Sequence, residues 1–412
     1  MTQGLRAQRY TIQGEIGQGG MSIIYQAFDH LLQHPVALKV LKPAYVNERQ
    51  RFLNEAYITG LLDHPHIVAV HDIGEDENRC PYFTMKWIRG ETLSHHLELA
   101  RDPTRALDSL ERFLGIFHKI CDAVAFAHSR GIVHRDIKPD NILIGQYGEV
   151  YLLDWGLARV IRPSAFAQLS PPLAQAFRQD FDPRDTLIGT LEYASPEQAH
   201  GHHHQIDERT DIFLLGALLY YILIGRAPFA AEDGAVPERI LRAQAAQIRP
   251  PEEVAPRACL PPGISAIAMR ALSREPRHRY PSVVALQDAV RRFVHSGSYL
   301  PTKTFSKGSL IMHEGDAGED AYIIVSGRCE VYQTVNGQKE VLCEMGPGEV
   351  FGETAILSSK PRTASVVALE DLTVLTVTAD ILASEMGLNS WAGRFARALA
   401  LRFHDGTVRR WR

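Results

Sequence analysis

The sequence predicts an α+β protein in three stretches: a small sheet carrying one prominent helix, a mostly helical region, and a small antiparallel β-roll with flanking helices. Three observations predict it. Strand-like runs crowd roughly the first 85 residues. Apolar residues then recur at helical spacing as far as His295. Beyond Pro301, short apolar runs are punctuated by Gly315-Asp316, Asn336-Gly337 and Gly346-Pro347-Gly348. Asn-Gly is the favoured two-residue hairpin turn, because both of its residues tolerate positive φ.

In order, Tyr10–Ile12, Ile23–Phe28 and Val36–Val40 read as strands. A helix follows near Asn47, with Phe52, Ala56, Thr59 and Leu62 on one face. Strands at Ile67–Ile73 and Tyr82–Trp87 complete the first sheet. Asp108 is placed to cap a long helix in which Phe113, Phe117, Ile120, Val124 and His128 recur at helical spacing, and Gly131 ends it. Further helices fit 206–225, 237–246, 264–272 and 282–295. Residues 296–303 read as a linker, whose eight residues span no more than ~28 Å. Strands then fit 309–313, 321–326, 328–334, 340–345, 364–369 and 373–377, and helical character returns from Asp380 to about Phe403.

Composition narrows the function class. The chain has 412 residues, 45% hydrophobic and 22% charged, which is ordinary for a globular protein of two or three domains. A formal net charge of −4 gives no basis for bulk nucleic-acid binding. The five cysteines are scattered without a Cys-x-x-Cys pair, which fits buried thiols in a reducing compartment. The chain does not open on a signal-peptide pattern, and the longest apolar run, Ile212–Ile224, falls short of the roughly 20 residues a bilayer needs. A cytoplasmic protein without a membrane span is expected.

The chemistry concentrates in His134-Arg135-Asp136-Ile137-Lys138-Pro139-Asp140-Asn141, followed by Asp154-Trp155-Gly156. Asp136 can accept a hydroxyl proton, and Lys138 can neutralise a migrating phosphoryl group. Asn141 and Asp154 supply the hard oxygen ligands that Mg²⁺ prefers. This is a layout for phosphoryl transfer. Upstream, Gly17-Gln18-Gly19-Gly20-Met21-Ser22 lets the backbone fold closely over phosphates, and Val36-Ala37-Leu38-Lys39 follows at strand spacing.

With these segments in this order, the first 295 residues resemble a eukaryotic-type protein kinase, closest to the bacterial serine/threonine kinases. The resemblance implies a two-lobed protein kinase domain over 10–295, with the N-lobe at about 10–88 and the C-lobe at about 89–295. It implies ATP and Mg²⁺ as cofactors and protein serine or threonine hydroxyls as acceptors. Asp136, Lys138, Lys39 and Glu55 are the expected catalytic residues, with Lys39 on the α and β phosphates and paired to Glu55. Ile16, Gly17, Gly19, Gly20, Ser22, Ile24, Ala37 and Leu143 are expected around the nucleotide. Met85 takes the gatekeeper place, and the backbone of Lys86, Trp87 and Ile88 binds adenine. Glu197 is expected to pair with Arg279, and Asp211 to anchor the catalytic loop. By the same resemblance, two copies would associate for autophosphorylation in trans. Trp155 stands where the family has phenylalanine, implying altered switching. Thr186 is the phosphorylation candidate in the long segment from Val160 to Asp185, with Arg135 as its phosphate partner.

A second constellation follows at Phe351-Gly352-Glu353-Thr354-Ala355-Ile356-Leu357 and Pro361-Arg362-Thr363-Ala364-Ser365. Glu353 can accept from a ribose hydroxyl, and the planar fork of Arg362 suits a phosphate diester. This segment resembles the phosphate-binding cassette of cyclic-nucleotide-binding domains, and the domain is expected over 304–405. Gly352, Glu353, Thr354, Ala355, Arg362, Thr363 and Ala364 are the expected ligand residues, with cAMP or cGMP as the regulatory ligand. The histidines at 200 and 202–204 and the terminal arginines read as solvated surface. Two other readings stay open: a non-catalytic scaffold with a kinase fold, or a constitutive kinase whose roll serves docking or dimerisation.

Overall fold

A computed structural model describes residues 9–99, 106–162, 190–230, 234–255, 262–295, 302–358 and 360–378. The chain divides into two units, Met1–His295 and Ser296–Arg412. The segment bearing Thr186 and the helical residues expected after Asp380 lie outside the described residues.

The first unit opens with strands β1 (Tyr10–Gln18), β2 (Ser22–Asp29), β3 (His34–Leu41), β4 (Val70–Glu75) and β5 (Pro81–Lys86). They form one antiparallel sheet in the order β1-β2-β3-β5-β4. Strand β1 runs six residues past Ile12, with register shifts at Ile12/Gly14 and Glu15/Gly17 that break the alternation a sequence pattern relies on. Helix α1 (Arg49–Leu61) packs behind the sheet. Its buried Phe52, Glu55, Ala56 and Thr59 recur at three and four residues and so share a face. Phe52 is fully buried against Phe83, ring centroids 5.2 Å apart. Burying a side chain of that size contributes about 1.5–3 kcal/mol.

Helices dominate the rest of this unit: α2 (Leu93–Leu99), α3 (Ala106–Ser129), α4 (Pro196–Ala199), α5 (Glu208–Ile224), α6 (Val236–Ala245), α7 (Pro262–Ala271) and α8 (Val283–His295). Asp108 falls inside α3 and does not cap it, a correction to the boundary expected from sequence. Asp207 caps α5, its side chain accepting from the Arg209 N–H at 2.7 Å. From Thr210 to Tyr220 every residue of α5 is buried, and beyond Thr210 and Asp211 the run is apolar on every face because it is the centre of the lobe. Among the described residues no helix is long and apolar enough to cross a membrane. Two small sheets, β6 (Gly90–Thr92) with β8 (Ile142–Gly145) and β9 (Val150–Leu152), and β7 (Ile132–Val133) with β10 (Arg159–Val160), frame the catalytic segment.

The second unit contains β11 (Thr302–Phe305), β12 (Leu310–Met312), β13 (Asp320–Ser326), β14 (Cys329–Val335), β15 (Gln338–Met345), β16 (Val350–Phe351), β17 (Ser365–Ala368) and β18 (Leu372–Thr378), with one short helix, α9 (Glu353–Ser358). Two four-stranded antiparallel sheets, β11-β18-β13-β16 and β12-β17-β14-β15, share a core of Tyr322, Ile324, Cys329, Phe351, Val366, Ala368, Leu372 and Val374. Asn336 and Gly337 turn the β14–β15 hairpin with φ of 51° and 78°. Strand β11 starts at Thr302, inside the stretch read as linker, because its residues pair with β18. Of the described cysteines, Cys80, Cys121 and Cys329 are buried free thiols, but Cys343 is exposed, which corrects the expectation for that residue.

Candidate active site

Strand β3 presents Lys39 across from Phe83 on β5, and α1 brings Glu55 to meet it. The Lys39 Nζ donates to Glu55 Oε1 at 2.5 Å and lies 4.0 Å from Asp154 Oδ1. Burial opposes the ammonium charge, but Glu55 and Asp154 outweigh it and hold the Lys39 amine above its usual range. A lysine fixed between two carboxylates stays a cation and keeps further N–H groups for an anion.

The catalytic segment hangs from α5. Asp211, wholly buried, accepts the backbone N–H groups of His134 (2.8 Å) and Arg135 (2.9 Å), and its Oδ2 lies 2.8 Å from His128 Nε2. Burial alone would raise its carboxyl; His128 first, then His134 and the Arg135 N–H, bring it below the usual range. Arg135 and Asp154 both sit in the left-handed region, φ 72° and 58°, where a side chain other than glycine is strained. Such strain persists only where the surroundings over-determine it.

Asp136 is 6% exposed. Its Oδ2 accepts from Lys138 Nζ at 2.8 Å and from Asn141 Nδ2 at 3.0 Å, while its Oδ1 accepts from the Thr190 hydroxyl at 3.0 Å. Lys138 Nζ also donates to Thr190 Oγ1 at 2.6 Å. Burial pushes the Asp136 carboxyl up, the Lys138 ammonium with His134 and Thr190 more than offsets this, and the group is held below the usual carboxylate range. Thr190 was not among the residues expected to serve the chemistry, because its part depends on a hydrogen bond that the fold makes to a residue 54 positions away.

Asn141 turns its amide nitrogen to the Asp136 carbonyl at 2.8 Å, which leaves its Oδ1 as an acceptor. Its own carbonyl accepts the Leu153 N–H at 2.8 Å and so ties it to the strand leading to Asp154, whose side chain is 51% exposed. Two accessible hard oxygens suit Mg²⁺, which is held by one or two protein carboxyl or amide oxygens plus phosphate. Among the described residues no three His, Cys, Asp or Glu side chains converge as a metal site.

The glycine turn lies between β1 and β2. The Gly19 N–H donates to the Ser22 carbonyl at 2.9 Å, and Lys42 Nζ donates to the carbonyls of Gly19 (2.8 Å) and Gly20 (3.2 Å). Lys42 is a second residue that sequence reasoning missed. Of the residues expected around the nucleotide, Ala37 is buried, Ile24 and Leu143 half-buried, and Ile16 exposed. Met85 packs partly buried against the Leu41, Phe52, Ala56 and Phe83 cluster, and Lys86 Nζ reaches the Tyr151 hydroxyl at 2.6 Å. Farther off, Glu197 and Arg279 form a buried bidentate pair with both contacts at 2.8 Å.

In the second unit, Gly352 leads into α9, which carries Glu353, Thr354 and Ala355. Arg362 is 8% exposed and donates through Nη1 to the Gly352 carbonyl at 2.7 Å and through Nη2 to the Asp320 carbonyl at 2.6 Å. A Cβ on Gly318 would lie 2.4 Å from the Arg362 Cζ, so a side chain there would push the guanidinium from this position. Two donors are engaged among the described residues and three N–H groups have no partner there, which fits an anionic ligand. Gln333 Nε2 donates to the Thr363 carbonyl at 2.6 Å and fixes the residue next to that arginine.

Residues 10–290 match the protein kinase domain, and residues 302–387 match the cyclic nucleotide-binding domain. The chain belongs to the protein kinase family. It is similar to serine/threonine-protein kinase PknD of Chlamydia felis, 37% identical over 309 residues, and of Chlamydia caviae, 39% over 302 residues. The same kinase of Protochlamydia amoebophila is 33% identical over 306 residues. These alignments take in 72%, 68% and 71% of this chain but only 32%, 30% and 31% of the relatives, so the chain spans about a third of their length.

Proposed function

We propose that the protein transfers the γ-phosphoryl group of ATP to serine and threonine hydroxyls of proteins, and that cAMP or cGMP bound to the second unit controls the rate. The observation that carries the reading is Lys39 held between Glu55 at 2.5 Å and Asp154 at 4.0 Å, together with Asp136 backed by Lys138, Asn141 and Thr190. Non-catalytic scaffolds with a kinase fold commonly lack a residue in the place of Lys39, Asp136 or Asp154, and the presence of all three here supports the catalytic reading.

Asp136, kept ionised by Lys138, orients and takes the proton of the acceptor hydroxyl. Lys138 donates to both Asp136 and Thr190, and beside that carboxylate it would meet charge developing on the transferring oxygens. Lys39 binds the nucleotide phosphates and is itself held by Glu55. Asn141 and Asp154 would hold Mg²⁺, which supplies charge neutralisation of the phosphates when bound. Thr190 fixes the second Asp136 oxygen, so the carboxylate meets the acceptor in one orientation. In the second unit, the three Arg362 N–H groups without a partner among the described residues support binding of a cyclic phosphate and Glu353 that of a ribose hydroxyl. Thr363 beside them would meet the purine. Buried free thiols at Cys80, Cys121 and Cys329 support placing the protein in the reducing cytoplasm. Transfer between two copies belongs to the same proposal.

Incubation with ATP, Mg²⁺ and a mixed peptide library tests the chemistry. Phosphoserine and phosphothreonine are expected, without phosphotyrosine, and chelation of Mg²⁺ abolishes both. Phosphotransfer at the same rate after chelation contradicts the roles given to Asn141 and Asp154.

A further inference from the structure

Ser195 caps helix α4, which carries the buried residues Glu197 and Gln198. The Ser195 N–H and hydroxyl both donate to Gln198 Oε1 at 3.1 Å, and the Gln198 N–H returns a bond to Ser195 Oγ at 3.4 Å. This reciprocal cap holds the glutamine side chain to its own helix. Glu197, paired with Arg279, makes that helix a firm base. From this base Gln198 Nε2 donates to the Arg135 carbonyl at 2.8 Å. A carbonyl only accepts and a backbone N–H only donates, so one orientation of the amide satisfies both.

The bond lands next to the chemistry. The Arg135 carbonyl and the Asp136 N–H belong to one planar peptide unit. That N–H donates to His134 Nδ1 at 3.2 Å, so His134 holds the plane at one pole and Gln198 at the other. Just before it, the Arg135 N–H donates to Asp211 Oδ1 at 2.9 Å. Arg135 sits at φ 72°, a strained conformation that persists only where its flanks are fixed. Asp211 fixes one flank and Gln198 the other. Thr190 meanwhile bonds the Asp136 carboxylate through its hydroxyl at 3.0 Å. The stretch from Thr190 to Gln198 therefore grips Asp136 twice, at its side chain and at the carbonyl before it.

We propose that Gln198 is a positioning residue for Asp136: its amide holds the Arg135–Asp136 peptide plane, and through it the Cα from which the carboxylate reaches the acceptor hydroxyl. Lys138, Asn141 and Thr190 orient that carboxylate, but only from a Cα already in place. A displacement of ~1 Å at a reacting group costs on the order of 10²-fold in rate. Lys39 and Glu55 stand on β3 and α1, apart from this plane, so loss of the Gln198 N–H lowers kcat and spares the KM for ATP. The proposal rests on the kinase reading.

The test is steady-state kinetics of the full chain with Mg²⁺-ATP and a serine-containing protein, together with thermal melting. Gln198→Met keeps the length of the side chain and removes its N–H. Gln198→Leu removes the same group with less bulk and covers the case that the methionine variant does not fold. Ser195→Ala is the control, because it weakens the cap while the Ser195 N–H still holds Gln198 Oε1. Both Gln198 variants are expected to lower kcat about fivefold or more, with the KM for ATP changed less than about twofold. Ser195→Ala is expected to lower the melting temperature and keep kcat within about twofold of wild type. A folded Gln198 variant with wild-type kcat overturns the proposal. So does a KM for ATP that rises as far as kcat falls, or a Ser195→Ala enzyme that loses as much kcat as Gln198→Met, since each marks a merely structural role. A wild-type chain without phosphotransfer overturns it together with the kinase reading.

Discussion

Lys39 and Asp136 each sit where a neighbour settles their charge: Glu55 beside the lysine and Lys138 beside Asp136. At this scale the sequence was informative wherever a residue type at fixed spacing implies one chemistry. It was silent where a role depends on a single hydrogen bond formed by the fold. Thr190 and Lys42 are of that second kind: their hydroxyl and ammonium act on groups 54 and 22 or 23 residues away. Replacing Asp136 by Asn is expected to lower kcat by ~10²–10⁴-fold with KM for ATP little changed, as measured by steady-state kinetics. Thr190→Val is expected to lower kcat while Thr190→Ser restores it. A Thr190→Val enzyme with wild-type kcat contradicts the orienting role.

The elements divide along similar lines. Helix α5 and strands β3 and β5 were legible because long periodic or β-branched runs signal burial directly. Strands β6 to β10 were not, since two to four residues carry no periodicity, and α3 begins before its expected cap. The link between α4 and α5 rests on Glu197, which accepts from Arg279 and from the Thr210 hydroxyl at 2.9 Å. Arg279→Ala strands the buried Glu197 carboxylate and is expected to cost about 3–5 kcal/mol at neutral pH. Burial pushes the Glu197 carboxyl up, but Arg279 holds it below its unfolded value of 4.5. That contribution is therefore fully present above pH 4.5 and is lost as pH falls through the lower folded value. Urea denaturation of wild type and Glu197→Gln should thus show a stability gap at pH 7 that narrows in acid. A gap of the same size at pH 3 contradicts the ionised pair. In the second unit, Gly318→Ala sets a Cβ against the Arg362 guanidinium and is expected to weaken cyclic-nucleotide binding tenfold or more in calorimetric titration. Unchanged affinity contradicts the part given to Arg362.

For the whole molecule, the pairing of a kinase domain with a cyclic nucleotide-binding domain matters more than either alone. The order of the two was readable because the composition changes at the Ser296-Gly297-Ser298 stretch, where helical periodicity gives way to short strands and turns. What a one-dimensional pattern does not carry is the sign of any coupling between them, which depends on how ligand binding biases a two-state element. Initial rates of phosphotransfer to a serine-containing protein, with and without saturating cAMP and cGMP, in wild type, Asp154→Ala and Arg362→Ala, test the central claim directly. The account predicts transfer that changes with at least one cyclic nucleotide in wild type, keeps no such response in Arg362→Ala, and disappears in Asp154→Ala. Transfer by Asp154→Ala at the wild-type rate, or a wild-type rate indifferent to both nucleotides, would contradict it.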